Sequence, residues 1–414
     1  MKPWLFVIGI GEDGLSGLSA AAQRLVDDAE ILIGGERHLT MLPEDEREKL
    51  AWPSPLSELV SRLTEYRGRR VVVLASGDPM HFGIGATLAR SIPPEEMLII
   101  PGLSAFALAA SRLAWPLERV EMVTLHGRPI GRLALSVYPG AKLLILSHDG
   151  TTPAAVAAYL TARGFGDSRM VALAHMGGKK ETGIKGRARD WSAETADFHT
   201  LAVECIAGPG ARFMPRSGGL PDDAFTHDGK MTKREVRAAA IARLAPFPGA
   251  LLWDIGAGAG SVAIEFMRAA HHARAIALEP RLERRAMAAK NALELGVPEL
   301  DIREGEAPEA LADWPAPDAV FVGGGVRPET LALARRALKP GGRLVVHAVT
   351  LESEAVLLAE HQSSGGELTR LAVSHAEAIG PYHGWRPAMP VTQWAWVKGS
   401  VGETRMDDGG LLPE

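Results

Sequence analysis

Asp254 stands two residues before the first of three alternating glycines, Gly256, Gly258 and Gly260, in the stretch LLWDIGAGAGSVAIEFM. An apolar run leads into the acid, and a helix-like segment follows the last glycine. Glycine lets a ligand come close to the backbone, and a helix N-terminus carries partial positive charge. The stretch therefore predicts a nucleotide or anion site. A dinucleotide loop asks for Gly-x-Gly-x-x-Gly, which would put its third glycine at position 261, where serine stands. Glu279 in IALEP, 19 residues past Gly260, ends the next apolar run. An acid there can accept both ribose hydroxyls in either kind of nucleotide fold. Glu306 lies in EGEAPEAL, after the third run.

The first half of the chain holds a second set. Gly9 and Gly11 lie in VIGIGEDG, Gly77, Asp78, Met80 and Ile84 in LASGDPMHFGIGATL, and Ser104 in PGLSAFALAASRLAWP. His126 and Arg128 in TLHGR read either as a satisfied histidine beside a solvent-facing arginine or as a cationic pair for a carboxylate. Between 179 and 190 there are five Lys or Arg against two acids. That segment, within 175–191, reads as a solvated loop or as a lid attracting a polycarboxylate.

These residues need strands that end in glycine and helices that start beside them. Short apolar runs alternate with helical patterns, which predicts α/β architecture with mostly parallel sheets. The segment 208–230 is rich in Gly, Pro and Asp with no period and reads as a linker. This divides the chain into 1–207, a linker 208–230, a domain 231–400 and a polar tail 401–414. The second domain opens on MTKREVRAAAIARL, where Thr232 and Glu235 have capping-box spacing and Val236, Ala240 and Leu244 have helical spacing. Its strands are expected at ALLWDIG, RAIALEP, LDIREG, DAVFVGG and GRLVVHAV, each but the last followed by a helix. TRLAVSHAEAIG and MPVTQWAWVKG predict a closing antiparallel hairpin.

Length and composition set bounds. The chain has 414 residues, enough for two domains. It is 46% hydrophobic and 23% charged with net charge -5, which argues against nucleic acid as the main partner. A single cysteine, Cys205, excludes an internal disulfide and reads as a buried strand residue. No run has the length of a membrane span, so a cytoplasmic enzyme is expected. No ligand spacing suggests a protein-bound metal.

The Asp-x-Gly-x-Gly-x-Gly pattern resembles the class I S-adenosylmethionine-dependent methyltransferases, whose terminal hairpin also matches. Over 231–400, MTKREVRAAAIARL, GEAPEAL, DAVFVGGG and LKPGGRLVVHAVTLESEA are similar to the cobalamin-pathway enzymes that methylate carbon 15 of a precorrin and decarboxylate an acetate side chain. The resemblance implies donor contacts at Thr232, Asp254, Gly256, Gly258, Gly260, Glu279 and Glu306, and a substrate side at Gly323, Gly324 and Gly325. Over 1–206, the order of the glycine turn, GDP, PG and TLHGR resembles the tetrapyrrole methylases, in particular those acting at carbon 5. That implies two α/β subdomains, donor contacts at Gly77, Asp78, Met80, Ile84 and Ser104, and a substrate side at Gly9, Gly11 and Arg128. The family's first turn has proline after its second glycine; here it is Glu12.

The resemblance implies one S-adenosylmethionine site per domain, a tetrapyrrole substrate and homo-oligomeric assembly, with no nucleic-acid or membrane partner. Carbons 5 and 15 of precorrin-6B would be methylated and the ring C acetate decarboxylated. Residues alone reach two nucleotide-type sites, at least one for S-adenosylmethionine. The rival readings are a class I methyltransferase of tRNA or another small molecule, an NAD-dependent oxidoreductase, and a non-catalytic role for one domain.

Overall fold

Apolar strands that end in glycine organise both halves of the chain. The structure, a computed structural model, describes residues 3–399, so the polar tail expected at 401–414 lies outside the described residues. The chain divides into two units, Met1–Ile130 with Ser136–Phe213, and Gly131–Leu135 with Met214–Glu414.

In the first unit a five-stranded parallel sheet runs Glu48–Ala51, Ile31–Gly34, Val71–Ser76, Leu5–Ile10, Met97–Ile100. Its central strands are buried on both faces: Val71, Val72, Val73, Leu5 and Val7 are solvent-free. This is why they read as continuous apolar runs rather than alternating ones. A second sheet runs Glu121–Thr124, Lys142–Leu146, His199–Glu204, Arg169–Ala174, Thr182–Arg187. Only its first pair is parallel; the other three are antiparallel. The expectation of mostly parallel sheets holds in the first sheet and not in this one. The turn between Arg169–Ala174 and Thr182–Arg187 is too short for a parallel crossover, so the chain doubles back. Part of the basic segment 175–191 is thereby an edge strand, not a loop.

The second unit is one seven-stranded sheet ordered Asp301–Arg303, Arg274–Leu278, Leu251–Ile255, Ala319–Val322, Arg343–Ala348, Val391–Val397, Glu367–Leu371. The first five strands are parallel and the last two pairings antiparallel. The strand order reverses beside Leu251–Ile255, which opens a crevice at the carboxyl ends of that strand and Ala319–Val322. Trp253, Phe321, Val345 and Trp394 fill the layers against the sheet. The expected closing antiparallel pairing forms between Glu367–Leu371 and Val391–Val397, and a separate antiparallel ribbon, Ser374–Ile379 with Tyr382–Pro387, lies between them in the chain.

Two further expectations are corrected. A helix, Leu351–Ser364, does follow the fifth parallel strand. The capping box does not form: the first helix of the unit is Arg234–Leu244, with Lys233 at its N-cap and no side-chain cap bond. The segment 208–230 is folded into the second unit from Met214 onward, and Leu220 and Phe225 are part of its core. Val236, Ala240 and Leu244 are buried as their spacing predicts, and so is Cys205, whose thiol burial pushes up to about 12.

Candidate active sites

Asp254 is the next-to-last residue of the strand Leu251–Ile255 and is 1% exposed. Its Oδ2 accepts from the Ala263 amide at 3.0 Å, and its Oδ1 is buried with no partner. Burial pushes this carboxyl up to about 7; the Ala263 amide opposes the shift and the nearby charge of Glu279 adds to it. Glu279 follows the adjacent strand. Its Oε2 accepts from the Gly258 amide at 2.9 Å and its Oε1 from the Arg281 amide at 3.1 Å.

The three glycines are all left-handed, at φ 75°, 57° and 76°, so no other residue is easily placed there. Their surroundings differ. A Cβ on Gly256 would meet the Gly324 backbone at 3.2 Å, and one on Gly260 would meet Ala288 Cβ at 3.0 Å. One on Gly258 would meet only the Lys230 carbonyl, at 3.7 Å. Gly258 thus faces free space, and that space is a cavity of about 880 Å³. Thr232, Asp254, Gly256, Gly258, Glu279, Glu306, Gly323, Gly324 and Gly325 all line it; Gly260 does not. Beyond the glycines the wall includes Lys233, Arg327, His347, Val349, Leu371 and Met389. His347 is buried, its Nε2 pairs with Gln393 Oε1 at 2.9 Å, and its ring meets Phe321 edge-on at 4.9 Å. Burial lowers its pKa to about 4, so the imidazole is neutral near pH 7.

The orphaned Oδ1 of Asp254 and the open face of Gly258 fit a ligand with a cationic or hydrogen-bonding group laid on the loop. Glu279 keeps lone pairs for hydroxyls. No third glycine is presented for a pyrophosphate, since position 261 is a buried serine.

In the first unit three strand ends converge. The Gly77 amide donates to Ile10 O and the Gly102 amide to Gly77 O, both at 3.0 Å. A Cβ on Gly9 would lie 1.9 Å from Gly77 O, so that glycine is required by the backbone crossing itself. On Gly11 a Cβ would meet Asp13 Oδ1 at 2.6 Å. Asp78 Oδ1 accepts from the Met80 amide at 2.9 Å and shapes the loop, leaving Met80 47% exposed. Ile84 opens the helix Ile84–Leu88. Ser104 Oγ accepts from the Ala107 amide at 3.1 Å as the N-cap of Ala105–Leu113. His126 and Arg128 sit elsewhere, after Glu121–Thr124 of the second sheet. The His126 ring lies 5.3 Å from His148, and Arg128 lines a cavity of about 380 Å³ with His148, Asp149 and Thr152.

Residues 5–191 match the family described as tetrapyrrole (corrin/porphyrin) methylases, and residues 223–398 match the precorrin methyltransferase domain. The precorrin-6Y C(5,15)-methyltransferase [decarboxylating] of Sinorhizobium sp is 46% identical over 402 residues, covering 96% of this chain and 97% of the relative. The chain belongs to the decarboxylating precorrin-6Y C(5,15)-methyltransferases. It is a C-methyltransferase and uses S-adenosylmethionine, which sets aside the dinucleotide and tRNA readings. Two shorter relatives match parts of it. The cobalt-precorrin-7 C(5)-methyltransferase of Salmonella typhimurium is 32% identical, covering 40% of this chain and 82% of the relative. The probable cobalt-precorrin-6B C(15)-methyltransferase (decarboxylating) of Sulfurisphaera tokodaii is 37% identical, covering 33% and 74%.

In this methyltransferase, among the described residues, no helix is long and apolar enough to cross a membrane, and no three His, Cys, Asp or Glu side chains group as metal ligands. Sequence reasoning passed over one cluster in the first unit. Glu12 bonds both Arg37 and His175, and Arg37 and His38 each reach Ser76 Oγ at 3.0 Å. The signal available for it was Glu12 itself, where the resembling family has proline.

Proposed function

We propose that the chain methylates the precorrin-6B macrocycle at carbons 5 and 15 and removes CO2 from the ring C acetate, with one S-adenosylmethionine site in each unit. The first unit, within 1–207, serves carbon 5. The second, within 231–400, serves carbon 15 and the decarboxylation. The observation that carries this reading is the 880 Å³ cavity of the second unit. It joins a loop suited to the methyl donor, from Asp254 to Glu279, to a wall of apolar and cationic side chains beyond Gly323–Gly325. The two shorter relatives support the division, since each bears the name of one of the two methylations.

S-adenosylmethionine supplies a methyl group already activated as a sulfonium. What the chain contributes is alignment and exclusion of water. Asp254 and Glu279 hold the donor side. Arg327 and Lys233 meet carboxylates that the product retains. The neutral His347 and the apolar wall suit the carboxylate that leaves, because a fixed cation beside it would hold it in place. The conjugated ring accepts the electron pair of the broken C–C bond.

Incubating the full chain with S-adenosylmethionine and precorrin-6B and recording mass spectra tests the reading. Two added methyl groups and one lost CO2 are expected. Gly258→Val should leave a product with one methyl group and the acetate intact. An unchanged tetrapyrrole with the wild-type chain, or a Gly258→Val product identical to that of the wild type, overturns it.

A further inference from the structure

The strand ends of the two sheets in the first unit are joined by a side-chain network that lies outside both cavities. Glu12 follows the strand Leu5–Ile10, Arg37 and His38 follow Ile31–Gly34, and Ser76 ends Val71–Ser76. These are carboxyl ends of neighbouring parallel strands, the edge at which α/β sheets bind ligands. Ser76 immediately precedes the Gly77-Asp78 loop. His175 comes from the other sheet, just past Arg169–Ala174. The Glu12 carboxylate divides its oxygens. Oε1 takes the Arg37 guanidinium, and Oε2 pairs with His175 Nδ1 at 3.0 Å. Arg37 also lies 4.2 Å over the Phe198 ring, which fixes it from a third side.

The backbone is shaped around this contact. His175 adopts φ 50°, a left-handed conformation that non-glycine residues rarely hold without support. Gly178 passes so close that a Cβ there would lie 2.8 Å from Glu12 Cβ. Glu12 and Arg37 both follow strands of the first sheet, so the imidazole is what carries the carboxylate's contact to the second. The imidazole adds something else. With Nδ1–H donating to a carboxylate, the tautomer is fixed and Nε2 presents its lone pair. Nε2 has no partner among the described residues, and the His175 side chain is 28% exposed. This is the arrangement of a general base held by a carboxylate, at the ligand-binding edge of the parallel sheet.

We propose that His175, oriented by Glu12, accepts the proton that leaves the carbon methylated in the first unit. The proposal rests on the reading that this unit methylates carbon 5. A bridging carbon of the macrocycle carries one hydrogen. Once it has formed its bond to the methyl group, that hydrogen must leave for conjugation to return. The C–H bond breaks, its electron pair re-enters the ring, and the proton passes to Nε2. Glu12 is a positioning residue and Arg37 holds Glu12.

The test uses the full chain. Asn tolerates a left-handed backbone and can still bond Glu12, but it cannot take a proton. His175→Asn should therefore slow carbon 5 methylation by about a hundredfold or more, with carbon 15 methylation and CO2 loss retained as an internal control. His175→Gly, also compatible with φ 50°, should be rescued by added imidazole. Selective ¹⁵N labelling of histidine should find Nε2 of His175 unprotonated in the wild type, and Glu12→Gln should shift that tautomer. Carbon 5 methylation within about threefold of wild type in His175→Asn, well short of a general-base effect, overturns the role; so does a loss that imidazole does not restore. A wild-type chain that adds no methyl group at carbon 5 overturns the assignment of the unit itself, and is recognised before any variant is made.

Discussion

The Asp254 and Glu279 carboxylates approach the glycine loop from the ends of adjacent parallel strands, paired in register at Asp254–Ala277 and Ile255–Leu278. Each oxygen of Glu279 accepts one amide bond, from Gly258 and from Arg281, whereas one oxygen of Asp254 has no partner. Burial raises the pKa of Asp254 to about 7; its one bond, from the Ala263 amide, opposes the shift and the nearby Glu279 charge adds to it. A carboxyl raised above its unfolded value binds its proton more tightly in the folded state. Stability of the second unit should therefore fall as pH rises from about 4 to about 7, then level off. Asp254→Asn should remove this component, on the order of a few kcal/mol, visible as a flatter thermal midpoint between pH 5 and 8. Donor affinity runs the other way. The ionised carboxylate attracts a cationic ligand, so calorimetry should find S-adenosylmethionine binding to this site tightening as pH rises through 7. Binding that is flat with pH there would contradict the role of Asp254.

Gly258 and Gly260 have the same backbone requirement and different surroundings, which separates folding from binding. Alanine at either position costs about 1–2 kcal/mol for the left-handed conformation. At Gly260 the new methyl also presses on Ala288, so Gly260→Ala should lose more in urea unfolding while bound donor partly restores it. At Gly258 the methyl enters the cavity. Gly258→Ala should lose donor affinity by about tenfold or more with the smaller loss of stability, since the ligand lies where the methyl goes. Equal effects on both quantities at the two positions would refute the assignment of Gly258 as the ligand-facing glycine.

The loop after Asp254 was legible in the sequence because strand burial, glycine placement and helix onset are all local. The strand Thr182–Arg187 was not, because TGIKGR is an exposed edge with no apolar face to read. Leu351–Ser364 buries only Leu357, too little for a helical stripe to stand out. The capping box at Thr232 and Glu235 lost to a tertiary contact. Arg237 bonds the carbonyls of Thr232 and Leu220, and the helix starts one residue later than the motif predicts. The pairing of Glu12 with His175 spans 163 residues and two sheets, so no local pattern carries it.

His347 should make the second unit acid-sensitive. Its pKa is lowered to about 4 by burial, partly opposed by the bond to Gln393. Below the ordinary histidine range the unfolded chain takes a proton that the folded one refuses. The stability this residue secures is complete above about pH 6.5 and is lost as pH falls toward 4. His347→Gln, which keeps a hydrogen-bonding partner for Gln393, should reduce the pH slope of unfolding free energy between pH 6 and 4.5 by up to about one proton. The comparison of wild type and variant isolates this group from others titrating in the same range. An unchanged slope would mean that His347 is protonated in the folded unit.

Glu265 and Arg237 form a buried pair at 2.6 Å, with the Arg237 side chain fully enclosed and Glu265 1% exposed. Glu265 also accepts from the Gly219 and Leu220 amides at 2.7 and 2.9 Å, and so holds the segment that follows Met214 against the helix Ser261–Ala269. Removing Glu265 strands the buried Arg237 charge on the half-buried Asp222 alone, at 3.1 Å, and leaves two unpaired amides. Glu265→Ala should destabilise the second unit by about 3–5 kcal/mol in denaturant unfolding. Replacing both members, as in Glu265→Leu with Arg237→Met, removes the stranded charge and should recover part of that loss. Hydrogen exchange should report faster opening around Gly219 and Leu220 in the single variant, because those amides have no other acceptor. A loss below about 1 kcal/mol, the size of an exposed pair, would show that the enclosure of Arg237 is not what anchors this segment.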